Sequence, residues 1–393
     1  MSRTLMFHID GTCNDPFDAN DASRSLLNTI LGRKENKSIS NVLKLHLLAG
    51  GNMDNSRGNV PGQHSFYYSG IGTRGGPLER ALNAALAPRR MDVQDILDQV
   101  GRDLANHYQP GDKIMLFGFS RGAALARMFA SRIADYLPEG VAAEESVEYL
   151  GAFDTVASIG FPNLDDDTKP MSDVVFEDDR VAPSVKRTLH LVAIDERRNA
   201  FRPVLMHQDP RITEVWMAGA HTDIGGGFDH DGLSDIALSS MMQHAQEHTG
   251  IQYLMPRELN YAKINGDEGY GISYRDMAIR PDHLSMIHKQ DESRLLEGWW
   301  LGDRDVRISE GWAAVEDHPR VHVSVVARIQ DTAHLADAYR PEPLQGVTYR
   351  VDSLEPDAPL AIARGSNALP AYPGLANQSV RRDHNIQSTL DYL

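Results

Sequence analysis

A single cysteine, Cys13, occurs in 393 residues. No intramolecular disulfide can form, and a cysteine-based structural zinc site is excluded, which fits folding in a reducing compartment. Basic residues are outnumbered as well, 39 Lys and Arg against 55 Asp and Glu, for a net charge of −16. Phosphate neutralisation needs clustered Lys and Arg, so nucleic acid is not expected as a partner. The local group Arg187, Arg197, Arg198 and Arg202 is the nearest approach to a basic patch. Long apolar runs are missing too. The opening MSRTLMFHIDGT holds one Arg and a short apolar stretch broken by His8 and Asp10. Neither a secretory signal nor a transmembrane span is read, and a chain made in the cytoplasm is expected.

What the sequence does contain is a set of short apolar segments closed by turn residues. TLMFHID (4–10), KIMLFGF (113–119), LHLVAID (189–195) and EVWMAGA (214–220) read as buried strands, with EYLGAFD (148–154) a weaker fifth. Helical spacing lies between them at 91–107, through Val93, Ile96, Leu97, Val100 and Leu104, and again at 121–136. Strands alternating with helices predict an α/β fold with a mostly parallel sheet covered on both faces. In such a sheet, reactive groups collect beyond the carboxyl ends of the strands. Gly- and Asn-rich 50–77 and acidic 161–183 read as long insert loops. A core over 1–250 with additions over 251–345 is expected, packed segments there being EGWW (297–300) and RVHVSVVARI (320–329). Residues 346–393 form a partly ordered extension in this reading.

The segment GFSRG fits Gly-x-Ser-x-Gly, after a predicted strand and before a predicted helix. A sharp turn there exposes the Ser120 hydroxyl, while Gly118 and Gly122 let strand and helix approach. The Arg121 amide, at the helix start, is placed to donate to a developing oxyanion. Such a serine needs a base, and the base an orienting carboxylate. Asp154 ends a predicted strand 34 residues after Ser120, and His221 directly follows another in MAGAHTDIGGG. Asp195, closing LHLVAID, is a rival acid at a later strand end, and Asp223 a second rival; spacing alone barely separates Asp154 from Asp195. His46, His190, His244 and His334 read as structural or solvated.

Two other chemistries compete with this reading. Asp-Gly-Thr after the first strand suggests a haloacid-dehalogenase-type phosphatase, but the nucleophile's place two residues earlier holds His8, and Asp10 is a poor substitute. The stretch HTDIGGGFDHDG offers His221, Asp223, Asp229, His230 and Asp231 as metal ligands without HExxH-like spacing. In the serine reading no metal or organic cofactor is required. Amides of Gly11 or Thr12, from a neighbouring strand's loop, then serve as the second oxyanion donor, and Cys13 is a small packed residue.

Seven segments in order carry a family likeness: FHIDGTCND, YYSGIGT, LFGFSRGAALAR, AFDTVAS, VAIDERRNAFRPVL, VWMAGAHTDIGGG and HVSVVARI with YRPEPL. From about residue 4 to 345 the chain resembles the α/β-hydrolase-like family of the first class of type VI secretion phospholipase effectors. The resemblance implies Ser120 as nucleophile, Asp154 as acid and His221 as base, with Asp195 a structural or substrate-loop residue. It departs from the family pattern at Cys13 and Phe153, where the family carries tryptophan. The membrane-associating module of larger members has no counterpart here. The expected activity is carboxylic ester hydrolysis, a phospholipid acyl bond first, with a non-phospholipid esterase or a catalytically silent binding protein as alternatives. Implied partners are a lipid or other ester, an immunity protein or a secretion-system component, and export by a leaderless type VI route.

Overall fold

The computed structural model describes residues 3–11, 37–56, 58–70, 90–157, 180–229, 231–266, 269–288, 301–309, 317–355 and 361–366. Nine strands make one sheet: β1 (Thr4–Ile9), β3 (Gln63–Tyr68), β4 (Lys113–Phe119), β5 (Val147–Phe153), β6 (Thr188–Ala193), β7 (Ile212–Met217), β9 (Arg320–His322), β10 (Thr348–Asp352) and β11 (Ala361–Arg364). A short ribbon pairs β2 (Lys37–Ser40) with β8 (Gly226–Phe228). The sheet order is β11-β10-β9-β7-β6-β5-β4-β1-β3, and every neighbouring pair is parallel except β10 with β11.

The parallel arrangement follows from strands that are apolar on both faces. In β1, Leu5, Phe7 and Ile9 join one cluster while Met6 faces the other. In β4, Ile114 and Leu116 share the first cluster, and Met115, Phe117 and Phe119 the second. The Leu5 side is covered by α2 (Arg90–His107) and α3 (Arg121–Ser131), and the Met6 side by α1 (Asn41–Leu48) and α5 (Gly232–Thr249). α4 (His221–Gly225) lies between these last two in sequence. The outer strands pack Trp216, Val321 and Val351 against Val326 and Ile329 of a helix over Val323–Thr332.

From β1 the chain steps to β3 on one side and then returns to β4 on the other. The order reverses between β1 and β4, which opens a crevice at their carboxyl ends. Gly11 and Ser120 emerge on either side of it.

The five expected strands and both helical segments are present, the second helix ending at Ser131 and continuing as a 3-10 turn over Ile133–Asp135. Two differences stand out. Residues 63–68, read as part of a loop, form the edge strand β3, with His64, Phe66 and Phe7 stacked along it. The sheet also runs past residue 345, because β10 and β11 lie within the expected extension. Residues 161–179 of the second long loop, and EGWW, lie outside the described residues.

Candidate active site

Ser120 has φ +56° and ψ −123°, a conformation that costs a non-glycine residue about 1–3 kcal/mol. Its surroundings hold it there. Ser120 N donates to Phe153 O at 3.0 Å, and Val156 N donates to Ser120 O at 3.3 Å, tying the corner to the end of β5. A Cβ on Gly122 would lie 2.1 Å from the Ile9 carbonyl oxygen, and one on Gly118 2.5 Å from the Gly122 carbonyl oxygen. Only glycine lets α3 approach β1 and β4 this closely. Arg121 opens α3, whose first N–H groups lack intrahelical partners.

Asp154 is fully buried and directly follows β5, itself at φ +40°. One carboxylate oxygen, Oδ2, lies 2.6 Å from His221 Nδ1 and 2.8 Å from an Arg304 nitrogen. The other accepts from Ala193 N at 3.0 Å and from the second Arg304 terminal nitrogen at 2.5 Å. The guanidinium thus grips the carboxylate in a two-point fork. Burial alone would raise the Asp154 pKa, but the Arg304 charge and the His221 hydrogen bond hold it far below the usual carboxylate range.

An ionised Asp154 fixes the tautomer of His221, whose proton sits on Nδ1 and leaves Nε2 as the acceptor. The ring packs between Phe119 at 4.6 Å and Phe201 at 4.9 Å. Burial lowers the His221 pKa below its ordinary value, and Asp154 opposes the shift. Behind the ring, Glu196 accepts from His221 N at 3.2 Å and pairs with Arg198 at 2.8 Å. Burial pushes Glu196 up, yet the Arg198 hydrogen bond and charge bring it down to about 2. Arg198 in turn lies over the Phe201 ring, 3.7 Å from its centroid. Among the described residues, Ser120 Oγ and His221 Nε2 make no hydrogen bond to each other.

The remaining expected residues separate. Asp195 does not reach His221; its Oδ2 accepts from Gly219 N and from Tyr339 Oη, both at 2.7 Å. Burial raises its pKa to about 6. Asp223 accepts from Ala220 N at 2.8 Å and faces the His288 imidazole. Buried Asp10 takes hydroxyls from Ser40 at 2.5 Å and Tyr67 at 2.7 Å. It also takes the Gly11 N–H at 2.6 Å. The amide of Gly11, one of the two expected second oxyanion donors, thus points at its own neighbour's carboxylate here. Thr12, Cys13 and His230 lie outside the described residues. Of the metal-ligand alternatives, Asp223 and Asp231 come together with His288, while His221 pairs with Asp154 and Asp229 with Arg275. His46, His190 and His244 are buried and hydrogen-bonded within the fold.

Arg304, Glu196 and Phe201 were not anticipated. Glu196 and Phe201 sit inside a quoted segment, DERRNAF, but nothing near GDRDVR links Arg304 to a carboxylate 150 positions earlier.

A mostly parallel sheet with helices on both faces and this strand-end constellation define an α/β-hydrolase-like protein. A family model described as "T6SS, Phospholipase effector Tle1-like, catalytic domain" matches residues 3–137 and 138–244, more than half of the chain. The chain belongs to that family. It is 24% identical over 262 residues to the uncharacterized protein YEL023C of Saccharomyces cerevisiae, covering 51% of this chain and 35% of the yeast protein. Among solved structures it is similar to the Tle1 effector bound to the VgrG spike from the Type 6 secretion system. That match has 23% identity and a TM-score of 0.35, covering 58% of this chain and 51% of the other. An uncharacterized protein from Pseudomonas aeruginosa matches at 20% identity with a TM-score of 0.41, covering 69% of this chain and 48% of that one. The chain thus spans about a third of the yeast relative's length and about half of each of these two structures. A chain from a study of the lipolytic enzymes LipS and LipT matches at 13% identity with a TM-score of 0.31, over 63% of this chain and 95% of that one.

Proposed function

We propose that the chain is a serine hydrolase of carboxylic esters whose substrate is a glycerophospholipid acyl bond. The observation that carries this reading is the Asp154–His221 pair at 2.6 Å, set at the same sheet rim as a serine held in a strained corner. Ser120 Oγ attacks the ester carbonyl carbon while His221 Nε2 takes its proton. The C–O bond to the alcohol then breaks, and His221 passes the proton to the departing alkoxide. Water repeats the sequence on the acyl-enzyme. Asp154 holds the tautomer and balances the imidazolium that forms. The open Ser120–His221 contact closes on substrate, as such contacts commonly do on leaving the unliganded state.

The Arg121 amide, at the start of α3, is the first oxyanion donor in this reading, and the second falls to Thr12, the residue after Gly11. Loss of one such donor typically costs about 100- to 1,000-fold in rate. The family's description supports a phospholipid substrate and delivery by a type VI apparatus. The partner class is then a spike component, with an immunity protein as inhibitor. Among the described residues no helix is long and apolar enough to cross a membrane.

A fluorophosphonate probe tests the nucleophile: labelling of the parent at Ser120, abolished in Ser120→Ala, is expected, together with release of fatty acid from labelled phospholipid vesicles. Faster turnover of short p-nitrophenyl esters with no phospholipid cleavage makes the chain an esterase instead. A chain that neither labels nor turns over any ester is a silent binding protein, the reading favoured by the unmade Ser120–His221 hydrogen bond.

A further inference from the structure

Three side chains with no part in ester chemistry converge behind the helix that starts at His221. Asp223, Asp231 and His288 each offer a ligand atom, and these atoms lie within 4.8 Å of one another. All three residues are buried, at 0%, 3% and 7% exposure. Asp223 Oδ2 accepts from Ala220 N at 2.8 Å and His288 N at 3.1 Å, and Oδ1 faces His288 Nδ1 at 2.5 Å. Asp231 Oδ1 caps α5 by accepting from Leu233 N and Ser234 N, both at 3.2 Å. Its other oxygen, Oδ2, is buried and has no hydrogen-bond partner among the described residues.

Buried carboxylates require compensation. An imidazolium at His288 balances one of the two and leaves Asp231 Oδ2 an acceptor without a donor. A cation resolves both problems at once.

We propose that Asp223, Asp231 and His288 form a binding site for a divalent cation of the borderline transition-metal class, Mn²⁺ or Zn²⁺. Two carboxylates and an imidazole match those ions, whereas Ca²⁺ takes six to eight oxygens. The imidazole is already oriented, stacked on Phe228 with centroids 4.2 Å apart. Its segment is fixed against α5, because a Cβ on Gly232 would lie 2.7 Å from Asp282 Cβ and Asp282 N donates to Gly232 O. The cation would therefore clamp three pieces of chain: α4, the start of α5, and residues 282–288. His221, two residues from Asp223, is not a ligand, so the ion acts on the placement of α4 and not on the reacting atoms.

The test uses the full chain, stripped with a chelator and titrated separately with MnCl₂, ZnCl₂ and CaCl₂ while metal content and thermal melting are followed. One equivalent of Mn²⁺ or Zn²⁺ with a rise in Tm is expected, unchanged in Ser120→Ala. Asp231→Asn keeps the cap acceptor and removes the charge. It should weaken binding at least tenfold, cancel the metal-induced rise, and melt no lower than the parent when stripped. If that variant does not fold, His288→Gln carries the same expectation for binding. No saturable binding, equal affinity in parent and variant, or a preference for Ca²⁺ each overturns the site. Since every readout is binding or melting, an inactive hydrolase leaves the result interpretable.

Discussion

Asp154 and Asp195 end neighbouring strands, β5 and β6, and spacing made them near-equal candidates for the same role. Their surroundings make them opposites. Asp154 lies at the bottom of the constellation, gripped by Arg304 and hydrogen-bonded to His221, and stays ionised despite complete burial. Asp195 is only partly buried, has Tyr339 and Gly219 as hydrogen-bond donors, and is pushed up to about 6. Sequence position brings a carboxylate to the right edge of a sheet. A cation placed beside it decides whether it can steady an imidazolium.

The widest split between the two should appear in catalysis. Asp154→Asn is expected to lower kcat by about ten thousand-fold through the wrong His221 tautomer, whereas Asp195→Asn stays within about tenfold. Near-equal losses would end the assignment. Next comes Arg304. Its removal in Arg304→Ala leaves Asp154 charged, buried and unpaired, a loss of about 3–5 kcal/mol by urea unfolding. The change should be the smaller if Asp154→Asn is already present. A cycle showing plain additivity would mean the fork does not couple the two.

The pH dependence sharpens the contrast. In the proposed mechanism neutral His221 is the base, and its pKa is lowered, burial outweighing Asp154. The acidic limb of kcat/KM should therefore have its midpoint below about 6.5. A midpoint above 7 would contradict the buried setting. The smallest effect concerns Asp195, whose folded pKa is raised, so its contribution to stability is full at acid pH and fades as pH rises through about 6. Between pH 5 and 8 the parent should lose on the order of 1 kcal/mol that Asp195→Asn does not, after discounting for partial exposure. Parallel pH–stability curves would remove the distinction.

How much of this could be read from the residues alone follows from range. β1, β4, β6 and β7 were legible because a strand buried on both faces is a near-continuous apolar run. β3 was not, since Gln63, His64 and Ser65 dilute its apolar half within a Gly-rich stretch. β10 and β11 escaped notice because TYRVD and AIAR are short and interrupted by charged residues, β11 lying at the sheet edge. The serine corner was visible through two glycines that sterics demand locally. The choice of Asp154 over Asp195 rested on family likeness, and the physical reason for it, Arg304, comes from a segment with no motif. The hydrogen bond from the Gly11 N–H to Asp10, one residue away, was not legible either, since sequence does not show where a loop amide points.

The fork on Asp154 also sets a timetable. A ribosome reaches residue 221 well before residue 304, so serine, acid and imidazole exist on a growing chain that still lacks the guanidinium holding the acid in place. The family match ends at residue 244, short of that guanidinium. A fragment cut at that border would carry Ser120, Asp154 and His221 without the Arg304 fork, leaving Asp154 held by the Ala193 amide and the His221 ring alone.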